Sequence, residues 1–182
     1  MNNNHEQQGF VVWMTGLSGA GKTTIALILE KELQERGVRI ERLDGDVVRE
    51  SLTRDLGFTK EDRDKNIERV TFVAKLLSRN NVGVVCSFIS PYQAVRDQVR
   101  AQTTNFLEVF VDAPLEVVID RDVKGLYKKA IAGEIPNFTG ISDPFEAPAQ
   151  PDIHVRTDQQ TPEESAQYII SQLETRSLIP MS

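Results

Sequence analysis

The sequence predicts an α/β fold, a three-layer sandwich in which helices cover both faces of a parallel five-stranded sheet. Five short apolar runs, at 10–15, 38–43, 82–89, 106–111 and 153–155, alternate with segments of helical periodicity. A glycine-rich stretch separates the first run from the first helical segment. The length of 182 residues and the 40% hydrophobic composition suit one domain with a substantial core.

The helical segments carry their own start and stop signals. The first runs from about Lys22 to Arg36 and ends at Gly37. The second begins at Thr59, where Thr-Lys-Glu-Asp offers an N-cap and an acidic third position. The last begins with Thr161-Pro-Glu-Glu, a capping box with proline at its first position. Their inward faces are predicted to carry Ile25, Ile28, Leu29, Leu33, then Ile67, Val70, Ala74, Leu77, then Ala166, Ile169, Ile170 and Leu173.

The domain organisation is predicted to be a short N-terminal tail over residues 1–8 and one domain over 9–178, with a lid over about 124–151. The lid segment holds four of the eight prolines and the basic cluster Lys124-Gly-Leu-Tyr-Lys-Lys129. A connection of this length without a clear strand is usually functional or disordered. We expect it to close over a ligand and to supply cations, although a solvated charge run is the alternative for the basic cluster.

Composition excludes several classes of protein. The net charge of −6 argues against a nucleic-acid binder, which needs a basic face. The single cysteine, Cys86, excludes an intrachain disulfide, and its apolar surroundings predict a buried thiol. No apolar stretch approaches the roughly 20 residues that span a bilayer, and the N-terminus lacks a signal-peptide core. We therefore expect a soluble, cytoplasmic protein with no membrane partner.

Residues 16–23 fit the pattern G-x-x-x-x-G-K-[ST] between an apolar run and a helix, which is the setting of a phosphate-binding loop. Its backbone N–H groups and the following helix N-terminus would bind the phosphates of a nucleoside triphosphate. Lys22 would reach the β- and γ-phosphates, and the Thr23 hydroxyl would hold Mg²⁺. A glycine-rich turn without a ligand is the alternative. The predicted nucleotide-binding residues are Gly16, Leu17, Ser18, Gly19, Ala20, Gly21, Lys22, Thr23 and Thr24.

Two carboxylates, Asp44 and Asp46, follow the second apolar run, at the sheet edge where parallel α/β folds collect ligands. One of them can complete the Mg²⁺ shell, because a hard cation prefers oxygen ligands, while the other accepts the proton of an attacking hydroxyl. The sequence leaves open which of the two is nearer the metal, and we assign Asp44 to the Mg²⁺ side and Asp46 to the hydroxyl. An Asx-type turn that caps the next helix is the alternative for Asp46.

Arg49, Arg63 and Asn66 come next, and the last two share a helix face away from the stripe of Ile67 and Val70. The arginines would meet an anionic acceptor, because their planar fork suits phosphate-type oxygens. Ser90 ends the third apolar run, just before a proline, and would either face the phosphate channel or cap the next helix.

Taken together, these segments resemble the adenylyl-sulfate kinase (APS kinase) family over nearly the whole chain, from about Gly9 to Leu178. The residues that carry the resemblance are Gly16-Leu-Ser-Gly-Ala-Gly-Lys-Thr-Thr24, Leu43-Asp-Gly-Asp46 with Arg49, Leu56-Gly-Phe-Thr59, Asp62-Arg-Asp-Lys-Asn-Ile67, Phe88-Ile-Ser-Pro91, Val111-Asp-Ala-Pro114, Arg121-Asp-Val-Lys-Gly-Leu-Tyr-Lys-Lys129 and Phe138-Thr-Gly-Ile-Ser-Asp-Pro144.

The resemblance implies a P-loop NTPase fold with a lid, and transfer of the ATP γ-phosphate to the 3′-hydroxyl of adenosine 5′-phosphosulfate. The product would be 3′-phosphoadenylyl sulfate (PAPS) for sulfate assimilation, with ATP and Mg²⁺ as cofactors and a homodimer as the assembly. Phe58 and Phe138 would sandwich the acceptor adenine, which suits the stacking chemistry of aromatic rings. The other acceptor-binding residues would be Asp46, Arg49, Arg63, Asn66, Ile89, Ser90, Lys124 and Leu126, and Arg121 would join the nucleotide site.

The catalytic set implied by the resemblance is Lys22, Asp46, Ser90 and Lys124, and the family's proposed phosphoserine position falls on Ser90. We favour direct in-line transfer over a covalent intermediate. Three alternatives differ in class: another P-loop small-molecule or nucleotide kinase, a catalytically inactive regulatory domain, and a GTPase switch. Asp122-Val-Lys-Gly125 matches the D-x-x-G motif of the last, but no N-K-x-D guanine-binding motif is present.

Overall fold

The computed structural model describes residues 7–181, and its sheet confirms the predicted α/β class. The strands are β1 (Phe10–Thr15), β2 (Ile40–Asp44), β3 (Gly83–Ser87), β4 (Phe106–Asp112) and β5 (Ile153–Arg156). They pair in parallel in the order β2-β3-β1-β4-β5. The described part of the predicted tail is limited to residues 7 and 8, and the rest of it lies outside the described residues.

The helices of the described residues are α1 (Lys22–Glu35), α2 (Gly45–Glu50), α3 (Lys60–Ser78), α4 (Gln93–Gln102), α5 (Leu115–Arg121), α6 (Leu126–Ile131) and α7 (Pro162–Thr175). The predicted stop and start signals of α1, α3 and α7 are confirmed. Gly37 follows α1 with a φ of 75°, and Thr59 accepts a hydrogen bond from the Asp62 N–H. Thr161 and Glu164 form the capping box of α7.

Two hydrophobic clusters lie on opposite faces of the sheet, which gives the predicted three layers. Val12 and Met14 of β1 point to the cluster that contains α1 and α7. Val11 and Trp13 point to the cluster that contains α3 and α4. Both faces of β1 are fully buried, as expected for a central parallel strand.

Most predicted core positions are confirmed, but Ile28 and Leu77 are only partly buried. Cys86 is buried as predicted, and burial raises the pKa of its thiol. Strand β3 ends at Ser87 rather than at residue 89, because the chain then leaves the sheet toward Pro91, which has no N–H to pair. Within residues 7–181, none of the helices has the length and hydropathy needed to cross a bilayer.

Candidate active site

The loop between β1 and α1 depends on glycine at two positions. A side chain at Gly16 would place its Cβ 2.2 Å from the Val111 carbonyl oxygen, so only glycine fits there. Gly21 precedes α1 with a φ of 102°, and no side chain caps the N–H groups of this helix. These unpaired donors and the positive end of the helix favour an anion such as phosphate.

Side chains from segments far along the chain donate hydrogen bonds to the carbonyl groups of this loop. The Tyr127 hydroxyl donates to the Ser18 carbonyl at 2.8 Å, and the Thr157 hydroxyl donates to the Ala20 carbonyl at 2.8 Å. Arg121 reaches the Gly19 carbonyl at 3.4 Å and the Thr157 carbonyl at 2.6 Å. Arg121 therefore lies against the loop, on the strand β5 side of it. Tyr127 and Thr157 are not among the predicted site residues, because no motif links them to the loop.

Lys22 is buried under this loop. Its Nζ donates to the carbonyls of Gly16 and Leu17, each at 2.8 Å. The pKa of Lys22 is lowered from 10.5 to about 7, chiefly because burial disfavours the ammonium and secondly because Lys124 is close; Asp44 and Asp46 act in the opposite direction. A phosphate bound beside Lys22 would therefore raise this pKa and favour the charged ammonium.

Thr23 and Asp44 form a pair of oxygen donors beside the loop. The Thr23 hydroxyl donates to Asp44 Oδ2 at 2.8 Å, and Asp44 Oδ1 accepts from the Asp46 N–H at 3.0 Å. The Asx-type cap that the sequence left open for Asp46 is therefore made by Asp44, at the start of α2. The described residues contain no group of three or more His, Cys, Asp or Glu side chains placed to hold a metal. Hydroxyl and carboxylate oxygens nevertheless fit Mg²⁺, which keeps several waters and takes further ligands from phosphates.

Asp46 and Lys124 form an ion pair across the mouth of the site. Both side chains are largely exposed, so they remain accessible to a ligand. Lys124 is the first residue of the predicted lid, and this contact joins the lid to the carboxyl end of β2. Of the basic cluster, Lys124 faces the carboxylates, whereas Lys128 and Lys129 are exposed on α6.

Arg63 makes four hydrogen bonds, one to the segment before α3 and three to the predicted lid. Its guanidinium donates to the Phe58 carbonyl at 2.9 Å, to the Thr139 hydroxyl at 2.6 Å and to Asp143 at 2.9 Å. A further bond reaches the carbonyl of Asn137. One partly buried guanidinium thus holds the backbone at Phe58 and the residues on both sides of Phe138.

The two aromatic rings keep surface free for a ligand. Phe58 is 62% exposed, and the Arg49 guanidinium lies 4.3 Å from its ring centroid. Phe138 is partly buried, and its ring meets the ring of Tyr127 edge-on at 5.0 Å. A groove between this part of the lid and the phosphate loop is lined by Leu17, Leu115 and residues 140–145.

Ser90 lies deeper than the sequence suggested. It is 3% exposed, its φ is 45°, and its hydroxyl accepts a hydrogen bond from the Trp13 indole N–H at 3.0 Å. The alternative of a helix cap at Ser90 is wrong, because α4 begins after Tyr92 without a side-chain cap. The carbonyl of Ile89 accepts from the Thr15 hydroxyl at 2.6 Å and from the Gly16 N–H at 3.4 Å. These bonds attach the segment after β3 to the start of the phosphate loop.

Two further predicted acceptor-binding residues, Asn66 and Leu126, are buried to different extents. Asn66 is buried, which contradicts the expected placement away from the buried stripe, and its amide oxygen accepts from the Thr53 hydroxyl at 2.7 Å. Leu126 is partly buried at the start of α6. Their predicted roles in acceptor binding stay predictions.

Arg96 of α4 is a residue that the sequence analysis missed. It is 1% exposed and pairs with Glu108 at 2.7 Å. The same guanidinium donates to the carbonyls of Ser90 and Glu146, each at 2.7 Å. It therefore joins the segment after β3 to the C-terminal part of the lid. No local pattern reveals it, because an arginine in an amphipathic helix is ordinarily on the surface.

Comparison with known proteins then decides the family. The family model described as "Adenylylsulphate kinase" matches residues 8–156. The chain belongs to the adenylylsulphate kinase family. A probable adenylyl-sulfate kinase of Pseudomonas aeruginosa is 78% identical over 165 residues, which cover 91% of this chain and 77% of that protein. An adenylyl-sulfate kinase of Halothermothrix orenii is 61% identical over 173 residues, covering 95% of this chain and 94% of that protein.

A solved structure agrees with this family. The APS kinase of Mycobacterium tuberculosis in complex with AMPPNP and APS has a TM-score of 0.89 at 42% identity, over 92% of this chain and 99% of that chain. Membership of the adenylylsulphate kinase family makes this protein a kinase and excludes the GTPase alternative. In the structure, the Asp122 carboxylate of the D-x-x-G match accepts the backbone N–H groups of Tyr127 and Lys128 and so starts α6.

Proposed function

We propose that this chain transfers the γ-phosphate of ATP to the 3′-hydroxyl of adenosine 5′-phosphosulfate, which yields PAPS for sulfate assimilation. The observation that supports this acceptor most directly is the set of bonds made by Arg63. A single guanidinium fixes the backbone at Phe58 and around Phe138, the two rings expected to stack on the acceptor adenine. The Arg49 guanidinium stacks on the Phe58 ring and so places a cation beside the proposed adenine site.

On the donor side, the N–H groups of residues 16–24 bind the ATP phosphates and Lys22 neutralises charge on the β- and γ-phosphates. Thr23 and Asp44 are the residues that would hold Mg²⁺, which when bound supplies positive charge to the phosphate oxygens. Arg121 packs against the loop that carries the phosphates. Catalysis then depends on positioning and on charge neutralisation rather than on covalent chemistry by the protein.

On the acceptor side, Asp46 accepts the proton of the 3′-hydroxyl while the 3′-oxygen of the acceptor attacks the γ-phosphorus of ATP. The Lys124 ammonium, which is paired with Asp46 in the structure, would also bind the transferred phosphoryl oxygens. Because Lys124 begins the predicted lid over 124–151, its pair with Asp46 couples the position of the lid to the catalytic set. We further propose a homodimeric assembly, and the cytoplasmic location stays a prediction.

An assay of ADP release tests the proposed function. ATP with adenosine 5′-phosphosulfate should release ADP, whereas ATP with AMP, shikimate or gluconate, and GTP alone, should not. Turnover with one of those other acceptors would favour the alternative of another P-loop kinase. Nucleotide binding without any ADP release would favour the inactive regulatory domain.

The charge of Lys22 should make nucleotide affinity depend on pH. Because its pKa is about 7 without ligand and phosphates would raise it, binding of AMPPNP at about pH 8 should take up a proton. Affinity should therefore fall as the pH rises above about 7. Calorimetry in buffers of different ionisation enthalpy measures the uptake, and Lys22→Arg, which stays charged, is the control. The absence of proton uptake in the unmodified protein would contradict the proposed role.

The two rings should separate acceptor binding from donor binding. Phe58→Ala and Phe138→Ala should each weaken acceptor binding by about 1–3 kcal/mol, the usual contribution of base stacking, with ATP affinity almost unchanged. Phe72→Ala, which removes an exposed ring of α3, is the matched control. Calorimetric titration with each substrate checks this, and equal weakening of both substrates would contradict the sandwich.

Replacement of Ser90 should separate direct transfer from a phosphoserine intermediate. The Ser90 hydroxyl is buried and already accepts from Trp13, so we expect Ser90→Ala to keep measurable activity with mainly weakened acceptor binding. Ser90→Gly is a second variant, because glycine tolerates the φ of 45°. One in-line displacement also inverts a chiral γ-phosphate. Retention of configuration, together with an inactive Ser90→Ala that binds both substrates, would make Ser90 the nucleophile.

A further inference from the structure

The hydroxyl of Ser87, the last residue of β3, is a buried polar group that the mechanism above does not use. Ser87 is 4% exposed, and its Oγ has no hydrogen-bond partner among residues 7–181. A buried hydroxyl without a partner is costly, because it has lost its hydrogen bonds to water and gained none in return. Such a group in a folded protein calls for a physical reason.

The register of the sheet places this hydroxyl beside the candidate metal site. Ser87 is the direct partner of Asp44 on β2 and of Met14 on β1. Neighbouring parallel strands are about 4.8 Å apart, and paired residues point to the same face of the sheet. Val85, two residues earlier, belongs to the cluster that contains α1, and Asp44 bonds to Thr23 of α1. The Ser87 side chain therefore lies on the same face as Asp44 and Thr23.

The Asp44 carboxylate has room for another donor. Its two oxygens accept from Thr23 and from the Asp46 N–H, and the nearest cation, Arg42, is 3.8 Å away and bonds to Glu30 at 2.9 Å. A carboxylate offers about four lone-pair positions, so two of them stay free. In the structure the oxygens of Thr23 and Asp44 point at each other. To hold a metal, both must turn toward the ion.

We propose that Ser87 is a positioning residue of the metal site, and that its hydroxyl donates to the Asp44 carboxylate once that carboxylate turns to the metal. Carboxylates that serve a metal are held by hydrogen bonds from residues behind them, and those residues affect metal affinity strongly. Ser87 lies on the strand next to Asp44 and has an unused O–H. This proposal rests on the metal role that the proposed function gives to Thr23 and Asp44.

The test measures AMPPNP affinity by calorimetry with Mg²⁺ and with a chelator, so that the ratio of the two dissociation constants gives the effect of the metal. Ser87→Ala should reduce this ratio by about tenfold, the usual loss for a hydrogen bond to a charged group. Affinity without Mg²⁺ should stay unchanged. Ser87→Thr, which keeps the hydroxyl, should restore the ratio.

Ser165→Ala is the matched control, because Ser165 on α7 is also buried and its hydroxyl also has no partner in the described chain. It should leave the Mg²⁺ effect unchanged. In the ligand-free protein neither alanine variant should melt at a lower temperature, because neither hydroxyl makes a bond there to lose. A lower melting temperature confined to Ser87→Ala would indicate a structural role and overturn the proposal.

Asp44→Asn distinguishes failure of this proposal from failure of the metal assignment. If Asp44→Asn removes the Mg²⁺ effect and Ser87→Ala leaves it intact, the role of Ser87 alone is overturned. If Asp44→Asn keeps the full Mg²⁺ effect, the metal role of Asp44 is overturned and the role of Ser87 with it.

Discussion

Replacing Lys22 with alanine is expected to lower turnover by about 10²-fold or more, while the protein stays folded. The Nζ of Lys22 is held by the carbonyls of Gly16 and Leu17 at the base of the phosphate loop. Its charge matters most as negative charge shifts toward the leaving oxygen, so the loss should appear in turnover more than in ATP affinity. Steady-state kinetics with saturating ATP and adenosine 5′-phosphosulfate measure it.

The stability of the Lys22 variant follows from the pKa of the lysine. Because that pKa is lowered to about 7 in the folded state, the unfolded chain binds more protons between about pH 7 and 10.5. Burying the ammonium thus costs stability at pH values below 7, and this cost is relieved as the pH rises toward 10.5. Lys22→Ala should therefore melt no lower than the unmodified protein near neutral pH.

Lys75→Ala is the matched control for Lys22→Ala. Lys75 is an exposed lysine in the last turn of α3. This turn leads to the amino end of β3, whereas the phosphate loop follows the carboxyl end of β1. Its replacement should leave turnover unchanged. A folded Lys22→Ala variant with near-normal turnover would contradict the role of Lys22.

The sequence was sufficient wherever the decisive contact is local. The phosphate loop is a short pattern of fixed spacing, and in the structure Gly16 and Gly21 have positive φ values while Lys22 bonds to the carbonyls of the loop. The caps at Thr59 and Thr161 also depend on residues only three positions away. Even Asp44 and Asp46 were identified as a pair, although which of them caps α2 depends on geometry that the spacing leaves open.

The sequence did not predict the environment of a side chain that is hydrogen-bonded to a residue far along the chain. For Ser90 the sequence offers a place facing the phosphate channel or a cap on the next helix, but its hydroxyl is bound to Trp13 on a neighbouring strand. Asn66 shares a helix face with Arg63, yet it is buried against Thr53. The role of Arg96 arises from Glu108 and from the lid, and neither contact has a local signature. Periodicity reports which face of an element is apolar, and it carries no information on such pairings.

Replacing Arg96 with methionine is expected to destabilise the protein by about 3–5 kcal/mol, because it leaves the buried carboxylate of Glu108 without its main partner. Arg100, at 3.6 Å from the other oxygen of Glu108, compensates only in part. The carbonyls of Ser90 and Glu146 also lose the Arg96 donor, so the contact between the segment after β3 and the predicted lid should loosen at this point, although the Glu146 N–H still donates to the Pro91 carbonyl. Denaturant unfolding measures the stability, and calorimetry measures acceptor affinity.

Two further variants separate the effect of the buried Arg96–Glu108 charge pair from the effect of the hydrogen bonds that Arg96 donates to backbone carbonyls. Arg69→Met breaks the exposed ion pair of Arg69 with Asp55 and should change stability little, because solvent screens surface pairs. The double variant Arg96→Met with Glu108→Leu removes both buried charges and should recover most of the stability, as replacing a buried pair by apolar groups often does. Acceptor affinity should stay weakened in that double variant, because neither new side chain can donate to the carbonyls of Ser90 and Glu146. Full recovery of acceptor affinity would show that Arg96 serves stability alone and has no part in holding the lid.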